Sequence, residues 1–267
     1  MIEMNKTIKR TTIPSNYEYD EINHTDTPIF KPLDWKKYDV IHVIELHYPY
    51  TDIEYLKGLV KEMRNEEKEG LTIGLVLLGD NVDTPKNGKL RMDYPKLTAQ
   101  EVADGFINEV LPLIKRYVIA FMLSNHDFEF MQLTDSFIEK KAYNLWQKMI
   151  SLMKESGVFV TKRLIRVELK GKIKAIFEHE HLVASSVKNR AWQYYGFQYR
   201  IFAGRHESWM NENIYDGDMQ PCTNISVPPA ISGQLQYNEE RMNPHLIARS
   251  LRIFWNERLK DWSWEEE

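Results

Sequence analysis

The chain has 267 residues, of which 43% are hydrophobic, with a formal net charge of −4 and a pI near 6.1. A chain of this length can bury one full core, so we expect one domain. The acidic balance argues against a broad nucleic-acid-binding surface but is compatible with a small basic groove. Cys222 is the only cysteine, which excludes an internal disulfide and a cysteine-based zinc cluster.

The first 36 residues are polar, contain three prolines and lack hydrophobic periodicity. They are predicted to form an extended N-terminal arm, followed by a single domain over residues 37–267. A partner-binding arm and a mobile tail fit this composition equally well. The arm contains no apolar stretch long enough for a signal peptide or a membrane span, so we expect a cytoplasmic protein.

The domain opens with a predicted strand, helix and strand. Residues 39–46 are apolar enough for a buried strand, and residues 53–68 carry apolar side chains at helical spacing. Thr51 and Asp52 are suitable cap residues for this helix, and Gly70 is a suitable stop. The second strand, 71–78, is then expected to lie parallel to the first.

The remaining elements are predicted in chain order. A loop over 84–96 precedes a helix over 98–115, which begins at the capping box of Thr98 and Glu101 and contains Pro112 near its end. Further predictions are a strand at 117–123, a helix at 135–155, a hairpin from 164–169 and 173–177, and a strand at 199–203. From residue 211 the chain is rich in turn-forming residues. A last strand is expected at 246–255 and a solvated acidic tail at 265–267.

Five predicted strands end in carboxylate, amide or imidazole side chains. These are Glu45 and His47; Asp80 and Asp83; Asn125, His126 and Asp127; His179 and His181; and His206 and Glu207. Ligands of open α/β sheets bind at the carboxyl ends of strands, so we expect these groups to converge. Oxygen and imidazole donors without thiolates suit Mn²⁺, Fe or Zn²⁺, and suit Mg²⁺ less well.

The order of these groups resembles the calcineurin-like metallophosphoesterase superfamily. The matching stretches are ELH (45–47), GDNVD (79–83), SNHD (124–127), HEH (179–181) and GRHE (204–207). The segment 226–233 also resembles phage and bacterial members, which are related to the DNA-repair exonuclease branch. The resemblance implies an α/β fold, a four-layer αββα sandwich of two mixed β-sheets flanked by helices, with the site at the strand ends.

The resemblance also implies a set of metal ligands. Two divalent ions are expected, with Mn²⁺ preferred and Fe, Zn²⁺ or Mg²⁺ as alternatives. Asp80 would bridge them, Glu45 and His47 would hold the first, and Asn125 and His179 would hold the second. Two such ions about 3.5–4 Å apart can bind a phosphate and activate a water.

Three acid–base groups complete the implied site. His126 would face the substrate and protonate the leaving oxygen, with Asp127 orienting the imidazole. Asp83 would accept hydrogen bonds that order its loop. An imidazole with a pKa of about 6.5 is a suitable acid for a leaving group.

The chain departs from the family pattern at three places. Glu45 replaces an aspartate, and Ser124 replaces a glycine, which is expected to matter only if the turn requires a positive φ. In the last motif one histidine is missing. Without gaps Arg205 replaces a ligand of the second metal and Glu207 serves the first metal.

A shift of one residue in that motif would instead make His206 the ligand of the first metal. His181 could compensate for the missing histidine, and Arg205 could contact a phosphate. In either alignment the second metal is expected to bind weakly.

The leading hypothesis is a metal-dependent phosphoesterase that hydrolyses phosphodiester bonds, as a nuclease or a nucleotide phosphodiesterase, through metal-activated water. Nucleic-acid ends and nucleotides are the candidate substrates, and monoesters stay open. The alternative is a catalytically retired member with a structural or interaction role.

His42 is predicted to be a core histidine, and the aromatic cluster at 192–199 is predicted to be part of the core or rim rather than a base-stacking surface.

Overall fold

A computed structural model describes most of the domain and contains two six-stranded sheets and four α-helices in the part it describes. The described residues are 32–83, 97–124, 126–127, 130, 137–162, 164–179, 197–204, 211–215, 221–231 and 248–266. The helices are α1 (Ile53–Lys68), α2 (Ala99–Gly105), α3 (Leu111–Ile114) and α4 (Phe137–Glu155).

The first sheet has the strand order β1-β6-β7-β8-β10-β9. Its strands are β1 (Leu33–Asp34), β6 (Ile165–Glu168), β7 (Lys174–His179), β8 (Tyr199–Ala203), β9 (Asn211–Tyr215) and β10 (Pro221–Ser226). The β6–β7 and β9–β10 pairs are antiparallel, and the other pairs are parallel. The predicted hairpin is therefore β6 and β7, joined by a 3₁₀ turn at Lys170–Lys172.

The second sheet has the order β12-β11-β2-β3-β4-β5. Its strands are β2 (Val40–Ile44), β3 (Ile73–Leu78), β4 (Val118–Met122), β5 (Phe159–Thr161), β11 (Leu251–Asn256) and β12 (Asp261–Glu266). Strands β2 to β5 are parallel, so their carboxyl ends lie at one edge of the sheet.

Strand periodicity places the two cores. Ile41, Val43, Val76 and Leu78 point towards the first sheet and pack with residues such as Phe177. The alternate residues of the same strands point to the outer face and pack with α1, α2 and α4. The predicted α/β architecture of two mixed sheets flanked by helices is confirmed.

The opening of the domain forms as predicted. Strands β2 and β3 pair in parallel from Val40 with Ile73 to Ile44 with Leu77. The Asp52 side chain accepts a hydrogen bond from the Tyr55 N–H and so caps α1. These features are local in sequence, which is why the spacing alone predicted them.

The predicted helix over 98–115 is interrupted. It starts at the predicted capping box, but a π-helical turn at Phe106–Val110 separates α2 from α3. Pro112 lies in the first turn of α3, where its missing N–H does least harm. The π-helical turn packs beside the loop that follows β2, since Tyr48 in that loop contacts Phe106 edge to face.

The turn-rich segment after residue 211 contains two strands that were not predicted, β9 and β10. Strand β10 lies between β8 and β9, and it pairs in parallel with β8 and antiparallel with its sequence neighbour β9. Its proline stands at the first position of the strand, where a missing N–H is tolerated.

The chain end also differs from the prediction. The last predicted strand is β11, which begins at Leu251, and it is followed by β12. Glu265, assigned to a solvated tail, lies in β12 and pairs with Arg252 at 2.6 Å. Pairing with the neighbouring strand thus extends regular structure into the acidic run.

Several predictions fall outside the described residues and stay predictions. They concern the arm up to residue 31, the loop at 84–96 and the aromatic residues 192–196. The end of the predicted arm is described: Leu33 and Asp34 form β1 beside β6, and Trp35 is buried. No helix in the described ranges is both long and apolar enough to cross a membrane.

A buried charge network joins the second sheet to α1. His42 is fully buried, as predicted for a core histidine, and its Nε2 lies 2.8 Å from the Glu66 carboxylate. The other oxygen of Glu66 accepts a hydrogen bond from Arg252 Nε at 2.8 Å. The Glu66 carboxylate therefore pairs with the polar groups of both His42 and Arg252, which are poorly solvated at this position.

Replacing Glu66 should destabilise the fold more than replacing its neighbour Glu67. We expect Glu66→Gln to lower the free energy of unfolding by about 3 kcal/mol, because a buried ion pair loses its charge. Glu67 pairs with Arg116 on the surface, so Glu67→Gln should cost about 1 kcal/mol at most. Urea denaturation of the two variants measures both values, and equal costs would contradict this account.

Candidate metal centre

The candidate site lies where β2, β3, β4 and β7 end. The loops after β2 and β3 are joined by backbone hydrogen bonds from His47 N–H to the Asp80 carbonyl, 2.6 Å, and from Tyr48 N–H to the Asn81 carbonyl, 3.0 Å. The Ala230 N–H donates to the Glu45 carbonyl at 2.7 Å. The segment singled out after residue 226 therefore supports the first loop.

Both joined loops contain strained backbone. His47 and Asp80 have φ values of 55° and 43°, in the left-handed region that side chains with a Cβ rarely adopt. Such conformations cost of order 1 kcal/mol or more each and persist where the surroundings hold them in place. Here the hydrogen bonds between the two loops hold both residues in this conformation. Their side chains lie close together, with His47 Nε2 3.7 Å from Asp80 Oδ2.

Asp80 is the centre of the site. It is 3% exposed, and its Oδ2 lies 3.2 Å from His179 Nε2, 3.7 Å from His47 Nε2 and 3.9 Å from His126 Nδ1. Among the described residues, two sets of three have ligand atoms within 4.8 Å of one another, and Asp80 belongs to both. The sets are His47, Asp80 and His126, and Glu45, Asp80 and His179.

Glu45 links the two sides of the site. It is fully buried, and its Oε1 lies 3.0 Å from His47 Nε2 and 3.2 Å from His179 Nε2. Its Oε2 accepts a hydrogen bond from the Gly204 N–H at 3.3 Å. Two predicted ligands from the second sheet and one from the first are thus brought together, as the strand ends predicted.

Asp83 contacts the imidazoles of His47 and His126. Its Oδ2 lies 3.1 Å from His47 Nδ1, and its Oδ1 lies 2.5 Å from His126 Nδ1. The prediction had assigned the orientation of His126 to Asp127. In the structure the carboxylate within hydrogen-bond distance of His126 is that of Asp83.

Asp127 instead organises the backbone. Its fully buried carboxylate accepts hydrogen bonds from the N–H groups of Asn81, Val82 and Ser124 at 2.9–3.2 Å. The Asn81 amide also donates to it, at 3.0 Å. Asp127 therefore holds the loops after β3 and β4 together, beneath the residues that face the site.

The charges in the site compensate one another. Burial alone would lower the pKa of His47 and of His179, but Asp83 and Glu45 around the first, and Asp80 and Glu45 around the second, raise both pKa values to about 10. Burial would raise the pKa of Asp80, yet the nearby imidazoles lower it. Burial also raises the pKa of Asp127 to about 6, against its N–H donors.

The donor set fits divalent cations. Buried carboxylates and imidazoles with atoms this close are stable only when protons or metal ions balance the charge. A divalent ion would take the place of the imidazole protons, since histidine ligates in its neutral form. The described residues that could hold such ions are Glu45, His47, Asp80, His126 and His179.

Five predicted site residues lie outside the described residues. They are Asn125, His181, Arg205, His206 and Glu207. Their assignments, including the expected weakness of the second metal site, stay predictions.

Sequence reasoning underestimated three residues of the site. Ser124 was expected to matter only through its backbone, yet its φ is not positive, and its hydroxyl donates to Asp80 Oδ1. Asn81 lies inside the GDNVD stretch but was not assigned the role of anchoring Asp127. Gly79 has a φ of 88°, and a Cβ there would lie 2.4 Å from the His179 ring.

Comparisons with known proteins give a weak structural likeness. No family model and no curated protein matches the sequence. Among solved structures, 5'-nucleotidase from Candida albicans has a TM-score of 0.39 at 9% identity, over 88% of this chain and 52% of that chain. Vps29 from Chaetomium thermophilum has a TM-score of 0.37 at 12% identity, over 85% of this chain and 95% of that chain.

A third similar structure is the NAD nucleotidase of Haemophilus influenzae. It has a TM-score of 0.39 at 9% identity, over 85% of this chain and 48% of that chain. The matched region of this chain thus spans about half the length of the two nucleotidases.

The close contact between Gly79 and His179 gives a prediction with a matched control. Gly70 has nearly the same φ, 90°, but open space around the position of a Cβ. Gly70→Ala should therefore cost only the left-handed backbone strain, about 1–2 kcal/mol. Gly79→Ala should cost more, because the methyl group also displaces His179.

Urea denaturation and Mn²⁺ titration of both variants test this difference. Gly70→Ala should bind Mn²⁺ like the wild type, whereas Gly79→Ala should bind it more weakly. Equal losses of stability and unchanged binding in Gly79→Ala would show that the glycine does not position His179.

Proposed function

We propose that this protein is a metal-dependent phosphoesterase of the calcineurin-like metallophosphoesterase superfamily. The observation that carries the proposal is the position of Asp80 Oδ2, which three imidazoles surround within 3.9 Å, beside the buried Glu45 carboxylate. One shared carboxylate between two groups of donors suits a pair of divalent ions. Such ions polarise a phosphate and activate a water for attack.

The residues divide into ligands and an acid. Asp80 would bridge the ions, and Glu45, His47 and His179 would complete the described part of their coordination. Asn125 would be a further ligand of the second ion. The positive charge of the ions would attract a phosphate ester, so that binding would not need a large basic surface.

His126 would donate a proton to the leaving oxygen. Its side chain is 15% exposed, more than those of His47 and His179, at 0% and 4%. Asp83 holds Nδ1 and so leaves Nε2 to face a substrate. Burial lowers the His126 pKa, but the hydrogen bond that His126 donates to Asp83 and the charge of Asp80 outweigh it and raise the pKa, which favours the proton-donating form.

The preferred metal ion and the substrate class are proposed from the sequence analysis. We propose Mn²⁺ as the preferred ion and phosphodiesters as the substrates, among them nucleic-acid ends and nucleotides. A net charge of −4 favours short or terminal substrates over long duplexes, because long duplexes need many phosphate contacts. A phage or bacterial origin near the DNA-repair exonucleases and a cytoplasmic location belong to the same hypothesis.

Hydrolysis of an aryl phosphodiester in the presence of Mn²⁺ tests the proposed function. The wild type should be active, and Asp80→Asn should lose at least about 100-fold in kcat/KM, because the shared ligand loses its charge. Asp39→Asn is the matched control. Asp39 precedes β2 at its other end and pairs with Lys170, so its replacement should leave the rate unchanged.

The role of His126 predicts a dependence on the leaving group. His126→Gln should retain Mn²⁺ binding and lose about 100-fold or more on esters of alcohols, whose leaving oxygen needs a proton. It should lose little on 4-nitrophenyl esters, which leave as stable anions. A loss that is equal for both classes would contradict proton donation by His126.

The alternative function is a retired site in a structural or interaction protein. One observation favours it: the chain departs from the family pattern at Glu45, Ser124 and Arg205. A retired site should bind no Mn²⁺ and hydrolyse neither diesters nor monoesters. Mn²⁺ binding together with hydrolysis that depends on Asp80 would exclude it.

A further inference from the structure

The hydroxyl of Ser124 makes two contacts with Asp80. It accepts a hydrogen bond from the Asp80 N–H at 2.8 Å, and it donates to Asp80 Oδ1. Ser124 is 2% exposed, so water does not compete for either contact. One side chain thus fixes both the backbone and the carboxylate of the residue at the centre of the site.

The single hydroxyl proton has two potential acceptors. Asp127 Oδ2 lies 3.2 Å from Ser124 Oγ, but that oxygen already accepts from the Ser124 N–H and from the Asn81 amide. Asp80 Oδ1 has the closer contact, so the proton is directed there. The remaining oxygen, Oδ2, is the one that faces the three imidazoles.

We infer that Ser124 is a positioning residue that makes Asp80 a one-oxygen ligand. This inference rests on the proposed function. With Oδ1 bound to Ser124, Oδ2 is the oxygen of Asp80 that would be left to hold metal ions, and rotation of the carboxylate out of this orientation is opposed. The hydroxyl also stabilises Asp80 at its positive φ, because it accepts from the N–H of that residue.

Loss of the hydroxyl should therefore change how two ions bind, beyond any change in stability. Hydrogen-bond partners of metal ligands commonly contribute about 10–100-fold to metal affinity. Ser124→Ala should raise the Kd for Mn²⁺ by about tenfold or more. It should also weaken the magnetic coupling between two Mn²⁺ ions in the EPR spectrum, because the shared oxygen is no longer fixed.

Two further variants separate positioning from a general loss of packing. Ser250 is fully buried and accepts a hydrogen bond from the Tyr55 hydroxyl at 2.9 Å, so Ser250→Ala removes a comparable hydroxyl outside the site. It should keep the affinity and the EPR spectrum of the wild type. Ser124→Thr retains the hydroxyl and should restore the affinity to within about threefold.

The experiment is a titration of the full chain with Mn²⁺, in which calorimetry measures the Kd and EPR measures the coupling. It is carried out on the wild type and the three variants. Absence of Mn²⁺ binding in the wild type would overturn the proposed function and this inference with it. Wild-type affinity and coupling in Ser124→Ala would overturn the inference alone. So would a Ser124→Thr protein that binds as weakly as Ser124→Ala.

Discussion

The buried carboxylate of Asp80 is the constraint on which the rest of the site depends. A carboxylate that is 3% exposed requires compensation by positive charge and hydrogen-bond donors. His179, His47 and Ser124 supply it, and each comes from a different strand end. Glu45 and Asp83 in turn compensate the imidazoles. The geometry of the whole site is therefore the arrangement that lets one acidic residue remain charged inside the protein.

This arrangement needs both sheets to be in place. Glu45, His47 and Asp80 follow strands of the second sheet, whereas His179 ends β7 of the first. The apolar residues between the sheets, such as Val76 and Phe177, fix the distance between these strand ends. Stability and function are consequently coupled, because a change in the packing of the sheets would move His179 relative to Asp80. Gly79 contributes to this coupling, because the absence of a side chain there allows His179 to approach Asp80.

The sequence predicted the elements whose signals are local. Strands β2 and β3, the cap of α1 at Asp52 and the convergence of Glu45, His47, Asp80 and His179 all follow from patterns within a few residues or from strand polarity. Strands β9 and β10 could not be predicted this way, because their pairing partners outweigh a turn-rich composition. The partner of His126 was missed for a similar reason: adjacency in sequence favoured Asp127, but the fold of the loop after β3 brings Asp83 to the imidazole.

The glutamate at position 45 has a physical consequence that its charge alone does not convey. Compared with aspartate, its extra methylene carries the carboxylate further from β2, and here Oε1 reaches both His47 and His179 while Oε2 accepts from the Gly204 N–H. A shorter side chain on the same backbone would not reach as far towards the first sheet. Glu45 therefore ties the two halves of the site together. Glu45 is therefore part of the geometry around Asp80.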